Sequence, residues 1–488
     1  LRQVGQQGTA GSPLQASPVP VSGSAASALD LPAFEVQASA SGAGVSSQLP
    51  QRGDKVKHEL SVTSDARGDV HAAAPHGANA AAANPASIPE VGSPEWGKTL
   101  GQYVIRIGSA GHQVAELQLN PPGLGPLKIT TVVKNLANPW GLAFLPDGRI
   151  LITERAGRLR IFSQGQLSPA VTGTPAVYNQ GQGGLLDVAI DPNFSQNQWV
   201  YLTYAEAGTG ETAGTAVMRG KLNGNALENT QLLFRQMPKL STGNHFGSRL
   251  VFDKAGYLFV TLGENNNRIT AQHLDHHQGK IIRIWPDGTI PTDNPFIGQA
   301  NVKPEIWSYG HRNPQGATLN PWTGKLWMHE HGPKGGDEIN IPLAGKNYGW
   351  PIITYGIDYN GQPIPESTGT SAPNMEQPKH YWVPSIAPSG MAFYDRNKNS
   401  AWYGNLFVGG LAAQQLVRLE LNGETITKEE RLLGELQYRI RDVRAGPDGS
   451  LYVLTDSATG RLLKIDPPPK DVRGTIKPPK PRPQSNKM

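Results

Sequence analysis

Six times between about residue 130 and residue 466 the chain repeats one device: a short apolar strand, a polar turn, then a second strand of alternating apolar and polar residues. The copies are WGLAFLPDGRILITER from Trp140, LLDVAIDPNFSQNQWVYLTYAE from Leu185, SRLVFDKAGYLFVTLGE from Ser248, NPQGATLNPWTGKLWMHEHG from Asn313, SGMAFYDRNKNSAWYGNLFVGG from Ser389 and RDVRAGPDGSLYVLTD from Arg441. Placed on Phe144, Ile190, Phe252, Leu319, Phe393 and Ala445, they recur at roughly 45 to 75 residues, the length of a four-stranded blade with variable loops. Their Asp-Gly, Ala-Gly and Thr-Gly turns supply the positive φ that tight hairpins need. An all-β, six-bladed β-propeller follows, because radial repetition leaves few exposed strand edges; a β-sandwich with irregular repeats is the alternative. With 57 Gly and 41 Pro in 488 residues, long helices are not expected.

The flanks read differently. Residues 1–95 are rich in Ala, Ser, Gly, Pro and Gln and carry too little apolar surface to offset chain entropy, so they are expected to be disordered. Residues 467–488 form a Pro- and Lys-rich tail that holds much of the net charge of +5, so no nucleic-acid partner is expected. No apolar run is long enough to span a membrane. The opening residues LRQVGQQGTAGSPLQ lack the apolar stretch of an export signal. With no cysteine, disulfides and thiolate chemistry are excluded.

A propeller gathers its loops at one end of a central channel, where polar residues distant in sequence can meet. In KLSTGNHFGSRLVFDKAGYLFVTLGEN, His245 precedes a strand pair and Glu264 ends it. A blade brings such ends together, and a carboxylate on the second ring nitrogen makes imidazole a stronger base; a structural histidine fits the same spacing. In GQGGLLDV, Gly181, Gly183 and Gly184 would let backbone approach a ligand, and Gln182 offers an amide. EIWSYGHRNPQG sets Arg312 and Asn313 before a blade strand, where they could stabilise negative charge on a ligand oxygen. HEHGPKGGDEINIPLAGKNYGWP offers the Gly332 and Pro333 carbonyls, the Glu338 carboxylate and the region of Tyr348, hard oxygen donors suited to calcium. His329 and His331, and His273, His276 and His277 in HLDHH, lack the His-Glu-x-x-His helix spacing of zinc enzymes, so these histidines are expected to be solvated.

In order through about 335 residues, PWGLAFLPDG, GQGGLLDVAIDPNF, LSTGNHFGSRLVFD, EIWSYGHRNPQG, HGPKGGDEINIP and RIRDVRAGPDGSLYVLTD resemble the soluble aldose sugar dehydrogenases that use pyrroloquinoline quinone (PQQ). The resemblance implies His245 as general base, oriented by Glu264, and Arg312 and Asn313 as contacts to the quinone. It implies Gln182, Arg439 and Arg441 as further cofactor contacts, with Tyr359 a weaker match to a pocket tyrosine. It also implies two Ca2+ sites, one catalytic at the Gly332 and Pro333 carbonyls and one structural at Glu338 and Tyr348. The expected reaction oxidises an aldose at C1 to the lactone, in the periplasm, by a monomer or homodimer whose electron acceptor the sequence does not name. Two positions depart from the pattern: Ala412 stands where some members carry a lysine over the cofactor, and Asn244 where some carry aspartate. A calcium-dependent propeller lactonase is one alternative. The other is a flagellar assembly factor, because residues 96–129 resemble the start of the C-terminal domain of flagellar hook-length control proteins.

Overall fold

A computed structural model describes residues 127–470 and, as backbone only, four short strands at Glu59–Ser64, Val70–Ala73, Val104–Ile107 and Ala115–Leu119. Apart from those strands, the expectations for residues 1–95, for most of 96–129 and for the tail from residue 471 fall outside the described residues.

Six blades, each of antiparallel strands, surround one axis, as the repeat predicts. Their innermost strands are Pro139–Phe144, Leu185–Ile190, Leu250–Phe252, Gly316–Leu319, Pro388–Phe393 and Ile440–Ala445, and each neighbours the next around the ring. All six alignment positions of the repeat are the last residue of an innermost strand. The outermost strand of the sixth blade is Lys128–Leu136, which pairs antiparallel with Gly460–Asp466. The first strand of the described ring therefore locks the last blade.

The alternation along each strand serves two cores at once. In Trp199–Ala207, Val200 and Leu202 pack toward the first blade, while Tyr201 between them packs toward the third. In Leu406–Gly410, Leu406 and Val408 face the fourth blade and Phe407 faces the sixth. Successive side chains point to opposite faces, and here both faces are dry. Six apolar clusters result, one at each blade junction. Among the described residues no helix is long and apolar enough to cross a membrane.

His329 and His277 are buried and His331 is partly buried, which corrects the expectation that they are solvated. His329 lies on the fully buried strand Leu326–Glu330 and bonds the Ser389 carbonyl through Nε2; His331 bonds the Pro388 carbonyl in the same way. Gly316 makes room, since a Cβ there would sit 2.0 Å from His329 Nε2. Burial pushes the His329 pKa down to about 3 from an ordinary 6.5. A depressed folded-state pKa gives stability that is complete above 6.5 and is lost as pH falls toward 3. At pH 5 the loss from this one residue is about 2 kcal/mol. His329→Gln should flatten the decline of the urea midpoint between pH 7 and pH 5; an unchanged slope would show that the imidazole titrates freely when folded.

Candidate active site

The innermost strands begin, and the second strands end, at the same mouth of the ring. His245 sits just ahead of Leu250–Phe252, and Glu264 just after Leu258–Leu262. Their side chains meet at 2.5 Å, His245 Nδ1 to Glu264 Oε2, and both are buried. The local sequence makes this possible: a Cβ at Gly263 would lie 1.9 Å from the His245 carbonyl carbon's oxygen, so only glycine fits there. His245 itself has φ 54°, a left-handed conformation costly for a residue with a side chain.

Two groups hold that strained residue. Its N–H donates to Gln182 Oε1 at 2.9 Å, and its carbonyl accepts from Asn265 N–H at 3.2 Å. Gln182 thus grips the histidine backbone. The glycines around Gln182 serve loop packing: a Cβ on Gly181 would strike the Gly243 carbonyl, and one on Gly184 the Arg155 carbonyl, each at 2.2 Å. Here these glycines admit a close approach of neighbouring backbone. Arg155 completes the brace, donating to the Gly181 and Gly183 carbonyls on either side of Gln182.

Burial lowers the His245 pKa, and Arg312 adds to the fall, against a rise from Glu264. Burial alone would raise Glu264, but the His245 ring, Arg312 and the Asn266 N–H hold its carboxyl below the usual range. An ionised Glu264 accepting from Nδ1–H leaves Nε2 of a neutral ring free to take a proton.

Arg312 and Asn313 lie in the same cluster. The Arg312 carbonyl accepts from Glu264 N–H at 3.0 Å, and Asn313 Oδ1 accepts from Gly247 N–H at 3.1 Å. Arg312 Nη1 donates to the Gly332 carbonyl at 2.8 Å and to the His331 carbonyl at 3.2 Å. Its guanidinium stands over the Trp350 ring, 5.3 Å from the centroid. Glu330, which the sequence offered only as part of a zinc-like His-Glu-His, accepts from the Arg312 backbone N–H at 2.5 Å and bonds His311 Nδ1 at 3.0 Å.

Arg439 and Arg441 occupy the start of the sixth blade and share one carboxylate, Asp456, at 3.1 and 3.0 Å. Burial opposes ionisation of Asp456, yet Arg441 and Arg439 keep its pKa below the usual range. Arg155 also lies in their field. Neither Arg155 nor Asp456 was expected from the sequence, since an arginine and an aspartate at strand ends carry no distinguishing pattern. Arg441 reaches the rest of the site through Gln315, whose Oε1 accepts from Nη1 at 2.9 Å.

The remaining residues spread outward. Glu338 accepts from Asn340 Nδ2 at 3.1 Å, and its pKa is pushed well up by burial and by Glu330. The Tyr348 hydroxyl is engaged by the Ile341 carbonyl and the Leu343 N–H, and its ring stacks on His311. Any oxygen Tyr348 gives a metal must therefore be its backbone carbonyl. Tyr359 is 57% exposed on a turn whose neighbour Ile357 bridges to Lys334, next to Pro333. Ala412 is exposed in the turn Leu411–Gln414, and Asn244 N–H is bonded to Thr242 Oγ1 at 2.9 Å.

Several polar atoms buried at this mouth have no partner: Glu264 Oε1, Arg312 Nε, Asn313 Nδ2, Asn340 Oδ1 and Arg441 Nε. Buried polar groups are normally paired. Unpaired donors on two guanidinium groups suit an anionic ligand.

Residues 136–464 match the Glucose / Sorbosone dehydrogenase family. The sequence is 52% identical to aldose sugar dehydrogenase YliI of Escherichia coli (strain K12), over 70% of this chain and 93% of that protein. It is 29% identical to quinoprotein glucose dehydrogenase B of Acinetobacter calcoaceticus, over 69% of this chain and 86% of the relative. The crystal structure of the soluble aldose sugar dehydrogenase from E. coli, in its apo-form, covers 70% of this chain with 100% of its own, at a TM-score of 0.69 and 52% identity. The PQQ-bound aldose sugar dehydrogenase of Streptomyces coelicolor covers 71% of this chain with 100% of its own, at 28% identity and a TM-score of 0.58. With the ring, the mouth and these similarities in agreement, the chain belongs to the glucose/sorbosone dehydrogenase family of six-bladed propeller oxidoreductases.

Proposed function

We propose that this protein oxidises aldose sugars at C1 to the lactone, with PQQ and Ca2+ as cofactors and His245 as the base. The observation that carries the reading is the buried 2.5 Å pair of His245 and Glu264 set against Arg312. The donor set fits an acidic cofactor: Arg439 and Arg441, with Arg155 nearby, balance their charge against the single carboxylate of Asp456. A ligand carrying several carboxylates would meet the surplus with charge-assisted hydrogen bonds. Ala412 removes one cation that some relatives place over PQQ; Arg155, which lies in the field of Arg441, offers another at the mouth.

Cation sites fit as well. Glu338 and Glu330 repel one another in a buried setting, with Asn340 Oδ1 unpaired beside them, and a divalent ion with oxygen ligands relieves all three. The Gly332 carbonyl belongs to Arg312 and would be shared with any ion bound there.

Bound PQQ with its Ca2+ supplies the electrophilic carbonyl that accepts the hydride. His245 takes the proton of the C1 hydroxyl on Nε2, and Glu264 steadies the imidazolium that results. Arg312, fixed by Glu330 and Trp350, provides a positive field where negative charge gathers. Gln182 and Arg155 hold the His245 backbone in its left-handed turn. The setting we propose is the periplasm, as the family resemblance implies.

Purified protein incubated with Ca2+ and PQQ should reduce an artificial dye only when an aldose is added. Hydrolysis of sugar lactones with no dye reduction by any aldose would replace this reading with the lactonase.

A further inference from the structure

We propose that His273, Asp275 and His276 form a binding site for one divalent transition ion of the Zn2+ class, outside the sugar site. Helix spacing is not what joins these residues. The chain turns, with His273 N–H bonded to the Thr270 carbonyl at 3.0 Å and His276 N–H to the His273 carbonyl at 3.3 Å. That turn sets the two imidazoles side by side with ring centroids 5.6 Å apart, and puts Asp275 Oδ1 2.7 Å from His276 Nδ1. One donor atom from each of the three lies within 4.8 Å of the others.

A tetrahedral ion with bonds near 2.1 Å needs donors about 3.4 Å apart, so closure requires side-chain shifts of about 1 Å. Asp275 and His276 can make them, being 60% and 26% exposed. Two imidazoles and one carboxylate favour zinc and its neighbours over calcium, which prefers oxygen alone. The adjacent His277 takes no part: its Nδ1 accepts from Met237 N–H at 3.0 Å, and its ring packs edge-on against Phe234. Solvent completes the coordination.

The site rests on a fixed base. Buried Lys280 donates through Nζ to the Thr270 and Ala271 carbonyls, each at 3.0 Å, and Lys303 N–H bonds the Leu274 carbonyl at 2.8 Å. The same segment runs back to Glu264, whose carbonyl accepts from Asn267 N–H at 3.0 Å. An ion at the turn would brace the stretch that follows the carboxylate partner of His245.

The test is titration of the metal-stripped full chain with Co2+ and Zn2+, followed by visible absorption and calorimetry, against a variant carrying His273→Ala and His276→Ala. Wild type should bind one more equivalent of each ion than the double variant. His273→Ala or His276→Ala alone should weaken that equivalent by at least the roughly 10- to 100-fold that loss of an outer-shell partner costs. Equal stoichiometry and affinity in wild type and double variant would overturn the proposal. Because the protein's other histidines, those at positions 58, 71, 76 and 112 among them, are present in both, their binding cancels from the comparison.

Discussion

His245→Gln is expected to cut kcat for aldose oxidation by about 10²- to 10⁴-fold, the usual contribution of a positioned general base. PQQ affinity and the unfolding midpoint should change little, because the glutamine side chain can still meet Glu264. The pH profile makes the assignment more specific. Burial and Arg312 lower the His245 pKa, so kcat/KM should rise with pH through an acid limb below the ordinary histidine value of 6.5 and level off near neutrality. Glu264 pulls the other way and raises that pKa. Removing its charge in Glu264→Gln must therefore move the acid limb to lower pH, and the less basic ring must lower the plateau. A residue that merely supported the loop would lower the plateau without moving the limb. The assignment fails if His245→Gln retains turnover within tenfold of wild type, or if Glu264→Gln shifts the limb upward.

The sequence disclosed this pair because a blade imposes a simple relation between spacing and position. A residue before the first strand and a residue after the second must lie at one end, so His245 and Glu264 could be matched without knowing any other contact. The six alignment positions were legible for a related reason: strands buried on both faces appear as apolar runs, and the turn between the first two strands of each blade keeps its glycine or polar residues. Contacts made across the ring leave no such trace. Lys128–Leu136 closes the sixth blade against Gly460–Asp466, yet nothing in its own alternation names a partner so far along the chain. Glu330 was hidden between two histidines that drew attention to zinc, although its carboxylate bonds the Arg312 backbone. His329 and His331 look like surface residues in a polar stretch, and only the neighbouring blade supplies the carbonyls that their ring nitrogens bond. Gln182, which the resemblance implies as a cofactor contact, also bonds His245 N–H through its side-chain oxygen, a link that its spacing does not disclose.

Arg249→Met is expected to destabilise the fold by about 3–5 kcal/mol, the cost of leaving buried charge without its partner. Arg249 is 1% exposed on the channel axis. Its Nη1 lies 2.8 Å from Asp187 Oδ1 and 3.1 Å from Asp442 Oδ1, and Arg444 touches the same two carboxylates at 2.9 and 3.0 Å. Two cations and two anions therefore balance at the point where the inner strands converge. Methionine fills the space of the arginine stem but ends short of the guanidinium, which stands 4.4 Å over the Trp140 ring, and it leaves two carboxylates with one cation. The flanking glycines make room for these carboxylates, since a Cβ at Gly141 would sit 2.6 Å from Asp187 Oδ1 and one at Gly390 2.2 Å from Asp442 Oδ1. Arg249→Lys keeps the charge but loses the fork that also donates from Nε to the Gln315 carbonyl at 3.0 Å, so its loss should fall between wild type and methionine. Gln315 carries the effect to the mouth, because its side chain holds Arg441. Weakened PQQ binding should accompany the lowered urea midpoint in both variants. A change below about 1 kcal/mol for Arg249→Met, within the range of a solvent-exposed pair, would mean that water enters the axis and screens the four charges.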